Sequence, residues 1–446
     1  KFFRVNYMEY YENTVSYFRE KLTHPGVIKH TKNLSWMFFA RIGSMVISFI
    51  STAYIARHLG PHNYGELSYA ISYVSLFGFL AAFGIDQILC RDLIRHPEKR
   101  NEYMGTALSL RLIASCITFL ICFFSAFFLS TKDVSLVLIF IVGLTFIFSS
   151  FQLLSYEFQA EVNLKYPSIL TTITVLILNI LKITVIFYGE GVIYLAGIIL
   201  LEPILYAIGI IYLRTKKYGT IRNWVFNKVI AISIVKDSFP LIFAAAFFSI
   251  YARIDQVMIK NMIDAKSVGL YDSAVRISEL WYFIPHTIIA GIFPTIINAK
   301  LKSQELFYKR IKKIFFFIVG LSIFTALLTS LLSKYLILII FGVEFIGALG
   351  VLKIYVWSNI GAAINMLMQN LLIAENLTKI VSISTFFGMV TNVILNIIFI
   401  PKYGIEGAAY ATLISYIIPF ISLYFFKRSR VLTSSFFKKI ETASTE

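Results

Sequence analysis

The chain has 446 residues, 58% of them hydrophobic and only 15% charged, against about 45–50% and about 25% in soluble proteins. That composition excludes an ordinary soluble domain and points to one large integral membrane domain. The formal charge of +17 raises the question of a nucleic-acid partner, which the placement of the basic residues decides.

Residues 1-33 are polar and aromatic, with no short apolar core ahead of a small-residue cleavage site, so they read as a cytoplasmic N-terminal segment. Apolar runs of 18 or more residues then follow, each long enough to cross a hydrocarbon core of roughly 30 Å as a helix. About twelve are expected, at 36-56, 66-89, 105-129, 134-156, 167-188, 191-213, 239-261, 268-298, 314-341, 345-373, 380-400 and 407-426. The expected fold is an all-α polytopic membrane protein. Its six-helix lobes are 34-213 and 238-426, joined by a basic connector, 214-237, and followed by a cytoplasmic tail, 427-446. With the N-terminus inside, basic residues concentrate in alternate segments, as in Arg91, Arg95, Lys99 and Arg100, or Arg214, Lys216, Lys217 and Arg222. The other loops hold only Arg57, Lys132, Lys260, Lys266 and Lys402. This asymmetry fits both termini being cytoplasmic and leaves no charge for nucleic acid to explain. Cys90, Cys116 and Cys122 lie in or beside apolar runs without a CxxC pair, and so indicate neither a disulfide framework nor a metal site.

An internal repeat supports the division into halves. IARHLGPHNYGELSYAIS from Ile55 aligns without gaps on IKNMIDAKSVGLYDSAVR from Ile259, pairing Gly65 with Gly269 and Ala70 with Ala274. A weaker echo pairs LNILKITVIFYGEG from Leu178 with LNIIFIPKYGIEG from Leu395. Six spans per half give the halves the same orientation, related by an axis along the membrane normal. Two such bundles with short external loops are what a transporter with a central cavity requires.

Apart from Lys260, at the end of span 7 and counted with its loop, seven basic residues fall within spans: Arg41, Arg111, Lys182, Arg253, Arg276, Lys334 and Lys353. Facing lipid, each would cost roughly 2.5–3.5 kcal/mol at the midplane, about 20 kcal/mol together, more than a typical domain's stability of about 5–15 kcal/mol. Arg111 and Lys334 lie near span ends and read as structural. Arg41, Ser44, Ser48, Ser51 and Thr52 recur at three and four and form one polar stripe. In span 8, Asp272, Arg276 and Glu279 share a face, and the repeat places Ser68, Ser72 and Ser75 at the equivalent positions of span 2. Both faces are expected to line the cavity; the alternative is that the three charges neutralise one another and lock the second lobe. In span 7, Ser249, Arg253 and Gln256 share a side, and Asp255, about 200° from Arg253, is expected to pair with a neighbouring helix. Ser168, Thr172, Asn179 and Lys182 form a further polar line, and Lys353 is a weaker candidate. Glu202, ahead of Pro203 near the middle of span 6, reads either as a site for a coupling H+ or Na+ or as a buried protonated carboxyl.

ARHLGPHNYGELSYA, IDQVMIKNMIDAKSVGLYDSAVRIS and NIIFIPKYGIEGAAYATLISY together resemble the O-antigen-type polysaccharide repeat-unit flippases of the multidrug/oligosaccharidyl-lipid/polysaccharide (MOP) exporter superfamily, from about Leu34 to Tyr424. The resemblance implies a MATE-like bundle in a bacterial inner membrane. It implies alternating-access movement of an undecaprenyl-pyrophosphate-linked oligosaccharide from the cytoplasmic to the periplasmic leaflet. On that reading Arg41, Arg253, Arg276 and Lys182 hold the pyrophosphate. Ser44, Ser48, Ser68, Ser72, Asp272, Glu279, Asp255 and Lys353 are polar or gating positions of the cavity, and Glu202 is the position for ion coupling. No cofactor is implied, and H+ or Na+ coupling is not demanded, because a cytoplasm-negative potential favours outward movement of an anion by about 2.3 kcal/mol per charge per 100 mV. The implied partners are the lipid-linked oligosaccharide and membrane lipids, with a polysaccharide polymerase and chain-length proteins as further candidates. One alternative, a multidrug/cation antiporter of the same superfamily, would prefer acidic cavity residues. Another, a polysaccharide polymerase or glycosyltransferase, would need an active-site loop, yet no outer loop exceeds about ten residues. Without an HExxH, GxSxG or Walker A pattern, no enzyme is expected.

Overall fold

A computed structural model describes residues 25–128 and 134–435, with 25–41 and positions 294, 297, 301, 302, 431 and 435 described by backbone alone. All regular structure among the described residues is helical. The first lobe comprises α1 (Pro25–Ala82), α2 (Ile85–Arg95), α3 (Arg100–Phe128), α4 (Val134–Gly143), α5 (Thr145–Ser149), α6 (Ser155–Ala160), α7 (Lys165–Phe187) and α8 (Val192–Tyr218). The second comprises α9 (Lys228–Met262), α10 (Ala265–Glu279), α11 (Phe283–Lys302), α12 (Gln304–Ile340), α13 (Leu349–Tyr355), α14 (Ser358–Ala374), α15 (Thr378–Ser415), α16 (Ile418–Ser422) and α17 (Lys427–Ser435).

Nine helices among the described residues are long and apolar enough to cross a membrane, and the bent pair Val343–Tyr355 and Ser358–Ala374 makes a tenth. Two of the nine are double. The 58 residues of α1 far exceed one crossing and break at Gly60, where φ is 71°, a conformation that glycine adopts without strain. Pro61 follows, suited to the first turn of the next helix. The long helix α15 breaks in the same way at Gly404, with φ 60°. Counting both breaks gives about twelve spans.

Local packing is inverted relative to a soluble helix. On α3, Arg111, Ser115, Thr118 and Cys122 are buried, whereas Ile113, Ile117, Leu120 and Phe124 are exposed. With hydrocarbon outside, apolar side chains need no burial, and polar ones must find protein partners. Ser115 does so through the Ser150 hydroxyl at 2.8 Å.

Three apolar cores define the shape. One is shared between lobes and joins Ala53, Tyr64, Tyr69 and Val142 to Ile259, Val268, Phe341 and Ala408. The other two are separate: Met104, Leu153, Phe158 and Ile210 belong to the first lobe, and Ile289, Phe307, Leu367 and Leu423 to the second. The lobes are therefore fused at the end carrying Gly60 and Ile263 and part toward the end carrying Gly219.

Much of the segment expected as a connector is helical. α8 continues to Tyr218 and α9 starts at Lys228, capped by the Asn227 side chain, which accepts from the Val229 and Ile230 amides. Asn227 also donates to Glu102 at 2.6 Å, and its amide donates to the Thr106 hydroxyl at 2.9 Å, fixing the segment to α3. Ile230 and Ile234 of α9 lie in the first lobe's own core. The helix then runs on through Pro240 to Met262 in the second lobe.

At the Gly219 end an ion-pair cluster ties the first lobe together. Glu157, fully buried, accepts from Arg214 Nε at 3.1 Å and lies 3.3 Å from Arg100 Nε. Arg214 itself stacks on Trp224, with 4.7 Å to the ring centroid. Glu161 nearby is held below the usual carboxylate range: burial acts to raise it, but Arg100, Tyr218 and Lys217 outweigh that by donating to it. The Glu157→Gln variant leaves Arg214 buried without its countercharge. A loss of about 3–5 kcal/mol is expected, read as a lowered thermal midpoint in detergent. At the more exposed Glu161, the same substitution has a small effect.

Candidate functional site

The fused end is built by the repeat. The most extensive helix contact among the described residues is between α1 and α10, and its centre is reciprocal. A side chain added at Gly65 would overlap the carbonyl of Ala265, and one added at Gly269 would overlap the carbonyl of Pro61. Pro61 and Ala265 are themselves repeat equivalents, so the local pseudo-two-fold axis passes between the glycines. One turn further the same register brings Ser68 against Asp272, 204 positions apart in sequence, at 3.0 Å.

Asp272, buried, gathers donors from three helices. Tyr64 of α1 donates at 2.5 Å, Gln256 of α9 at 2.9 Å, and Arg276 of its own helix through Nε at 2.6 Å. The Arg276 guanidinium lies 6.0 Å from the Tyr64 ring centroid. Ser72 donates to Gln256, and Lys260 of α9 pairs with Glu66 of α1, which also accepts from Ser135. Tyr64, Ser68 and Ser72 thus bond to the second lobe along one face of α1, and Glu66 does so from another side.

Beyond Ser72 the lobes diverge. Ser75, next on that face, donates to the carbonyl of Ile71 in its own helix and lines hollows on both sides. The hollow of the second lobe, ≈ 650 Å³, is bordered by Ser249, Tyr251, Arg253, Glu279, Tyr282, Asn365 and Tyr416. In the first lobe two hollows of ≈ 460 and ≈ 400 Å³ share Arg111, Thr145, Ser149 and Ile199. Ser75 thus stands between a hollow of the first lobe and the hollow of the second.

The residues singled out from sequence divide into groups. Arg253 and Glu279 line the second-lobe hollow, 3.9 Å apart. Arg276 is partly exposed above the Asp272 contact. Lys182, on α7, lies within electrostatic reach of both Glu202 and Arg276. Glu202 is exposed to the ≈ 460 Å³ hollow, which the buried Pro203 also borders, and is not a buried carboxyl. Asp255 points away from the cavity into the wall of the second lobe. There it accepts from Asn396 and Thr412 at 2.6 Å each and from Tyr271 at 2.8 Å. Ser44 and Ser48 are partly buried on α1, whereas Lys353 is exposed on α13 and does not border the hollows described above. The Arg41 side chain, the N-terminal segment through residue 24, Lys132 and the tail from residue 436 lie outside the described residues.

Ser68, Ser72 and Asp272, expected as polar or gating positions of the cavity, are all buried in the contact between lobes, where the repeat sets Ser68 against Asp272. Sequence reasoning also missed the part played by Arg111 and its partner Asp86. Arg111, read as structural from its nearness to a span end, is buried, pairs with Asp86 and borders both first-lobe hollows. The signal was present: Arg111, Ser115, Thr118 and Cys122 follow the same three-and-four spacing as the stripe at Arg41.

Residues 30–300 match the polysaccharide biosynthesis protein family, and residues 240–398 match the MatE family. The capsular polysaccharide biosynthesis protein CapF of Staphylococcus aureus is 24% identical over 411 residues, covering 89% of this chain and 98% of that protein. A putative O-antigen transporter of Shigella flexneri is 22% identical over 410 residues, covering 85% and 93%. The solved structure of the lipid II flippase MurJ, in an inward closed conformation, has the same fold, with a TM-score of 0.71 at 18% identity over 87% of this chain and 86% of that one. With a family match over more than half its length and with transporters among its relatives, the chain belongs to the polysaccharide biosynthesis protein family and is a flippase-type transporter of the MOP superfamily.

Proposed function

We propose that this protein moves an undecaprenyl-pyrophosphate-linked oligosaccharide from the cytoplasmic to the periplasmic leaflet by alternating access. The observation that supports the reading is the set of hollows on either side of Ser75, with Arg111 on the walls of those in the first lobe and Arg253 on the wall of that in the second, beside lobes joined at the Gly60 end. The parted end carries Arg95, Lys99, Arg100, Lys216 and Lys217, which by the positive-inside rule makes it the cytoplasmic one. A substrate made on the cytoplasmic face therefore meets the parted end. Arg253 and Arg276, with Lys182 beside them, receive the pyrophosphate through charge-assisted and bidentate hydrogen bonds.

Arg276 also explains how loading leads to opening. Its partner Asp272 holds Tyr64, Ser68 and Gln256 across the closed end. A phosphate that takes the guanidinium competes with Asp272 for it and weakens the grip between lobes, so substrate favours the other conformation by its differential affinity. The empty protein stays shut and does not leak.

The test is export in cells carrying Arg253→Gln together with Arg276→Gln at wild-type protein levels. Surface polysaccharide is expected to fall more than tenfold while lipid-linked oligosaccharide accumulates on the cytoplasmic leaflet. Intact export overturns the reading, and unchanged export with lost efflux of a cationic drug points to the antiporter instead.

A further inference from the structure

We infer that the ≈ 460 Å³ hollow of the first lobe is a glycan-reading subsite, occupied by the sugar of the substrate and not by its pyrophosphate. The inference rests on the transport reading above and assigns the substrate's parts to places in the cavity. Its volume lies within the range of about 300–1,000 Å³ that small-molecule sites occupy.

The chemistry of the wall decides the occupant. Two carboxylates, Asp86 and Glu202, stand against one guanidinium, Arg111, so the hollow is net acidic and repels phosphate. Gln152, Ser149 and Thr174 add neutral donors and acceptors. A polyol satisfies such a wall: its hydroxyls donate to the carboxylates and accept from the amide, and each is both donor and acceptor. The rings of Tyr156 and Tyr206 offer flat apolar faces for the C–H side of a pyranose. The second-lobe hollow also carries polar side chains, Asn365, Gln369 and Asn370 among them, but there the one carboxylate, Glu279, is balanced by Arg253, and Phe248, Met366 and Pro419 give the wall a larger apolar share.

Position agrees with chemistry. Lys182 lies within electrostatic reach of both Glu202, on the wall of the hollow, and Arg276, so the acidic hollow adjoins the cations assigned to the pyrophosphate. A sugar joined directly to a pyrophosphate held at Arg276 and Lys182 begins at Glu202. Selectivity among glycans then resides in the first lobe, since a site built to hydrogen-bond hydroxyls discriminates strongly against ligands that leave its polar groups unpaired.

Binding to the full chain in lipid nanodiscs separates the two functions. The probes are bare undecaprenyl pyrophosphate and the lipid-linked oligosaccharide extracted from cells that carry this protein. Gln152 and Glu202 both expose their side chains to the hollow, so Gln152→Ala and Glu202→Gln leave the packing intact. Each is expected to weaken the oligosaccharide-bearing probe at least tenfold and to leave the bare lipid within twofold, whereas Arg253→Gln weakens both. If the hollow variants weaken both probes alike, or neither, the subsite assignment is overturned while the transport reading stands. A wild-type protein that binds neither probe overturns both.

Discussion

Replacing Gly65 by valine is expected to abolish export, and Gly269→Val to do the same, because neither variant can close the Gly60 end. The obstacle is backbone against backbone. A β-carbon at Gly65 would overlap the Ala265 carbonyl and come within 2.9 Å of the Gly269 amide nitrogen, and main-chain atoms in two packed helices cannot swing aside. The lobes must separate instead, which stretches Tyr64 and Ser68 away from Asp272, and hydrogen bonds beyond about 3.5 Å hold little. Helix propensity predicts the opposite sign, since replacing a mid-helix glycine by alanine stabilises by roughly 0.5–1 kcal/mol where space permits. Gly78, also on α1, has no neighbour within 4 Å of an added carbon, so Gly78→Ala is expected to retain full export. Closure is measured with Arg57→Cys and Val343→Cys, at exposed positions flanking the closed end, in a protein lacking Cys90, Cys116 and Cys122. A short bifunctional thiol reagent should cross-link the pair in the wild-type background and not with Gly65→Val. Equal cross-linking in both would refute the steric argument.

The second large effect is expected at Asp272. Asp272→Ala removes the acceptor of four donors and leaves Arg276 without its countercharge inside the contact between lobes. Breaking a buried pair in this way costs about 3–5 kcal/mol. Two conformations of a transporter differ by only a few kcal/mol, so the loss is enough to reverse their populations. The same cross-link is expected to fall at least tenfold, and export with it. Adding Arg276→Leu removes the orphaned charge and is expected to restore part of the cross-linking, while export stays lost because the guanidinium proposed to receive the pyrophosphate is gone. A double variant no better closed than Asp272→Ala would show that the acid acts alone, and that Arg276 does not couple loading to opening.

Much of the fold is legible in the sequence because the bilayer enforces it. Long apolar runs have no alternative to helices, and the breaks fall where Gly60 precedes Pro61 and where Pro401 precedes Gly404. The axis between lobes was legible too, since a gapless repeat predicts that equivalent positions approach across it, and Gly65 meets Gly269. The direction of each charged face was harder to read. Periodicity shows that Asp272 and Arg276 share a side, but Tyr64 and Gln256, 208 and 16 positions away from Asp272, converge on it only through packing. Arg111 was misjudged for a related reason. Distance from a span end says how far a side chain must reach to water, whereas its partner Asp86 lies on a different helix.

The long helix α9 has a mechanical consequence. Its first turns are embedded in the first lobe through Ile230 and Ile234, Arg91 of α2 pairs with its Asp237 at 2.6 Å, and its remainder belongs to the second lobe. A rod anchored in both bodies is a lever, and rocking must flex it between its anchors. Pro240, just past the first anchor, deletes a backbone hydrogen bond there and lowers the bending stiffness at that point. On the proposed alternating access the fulcrum lies near Pro240, and the amplitude of the stroke becomes a property of one helix.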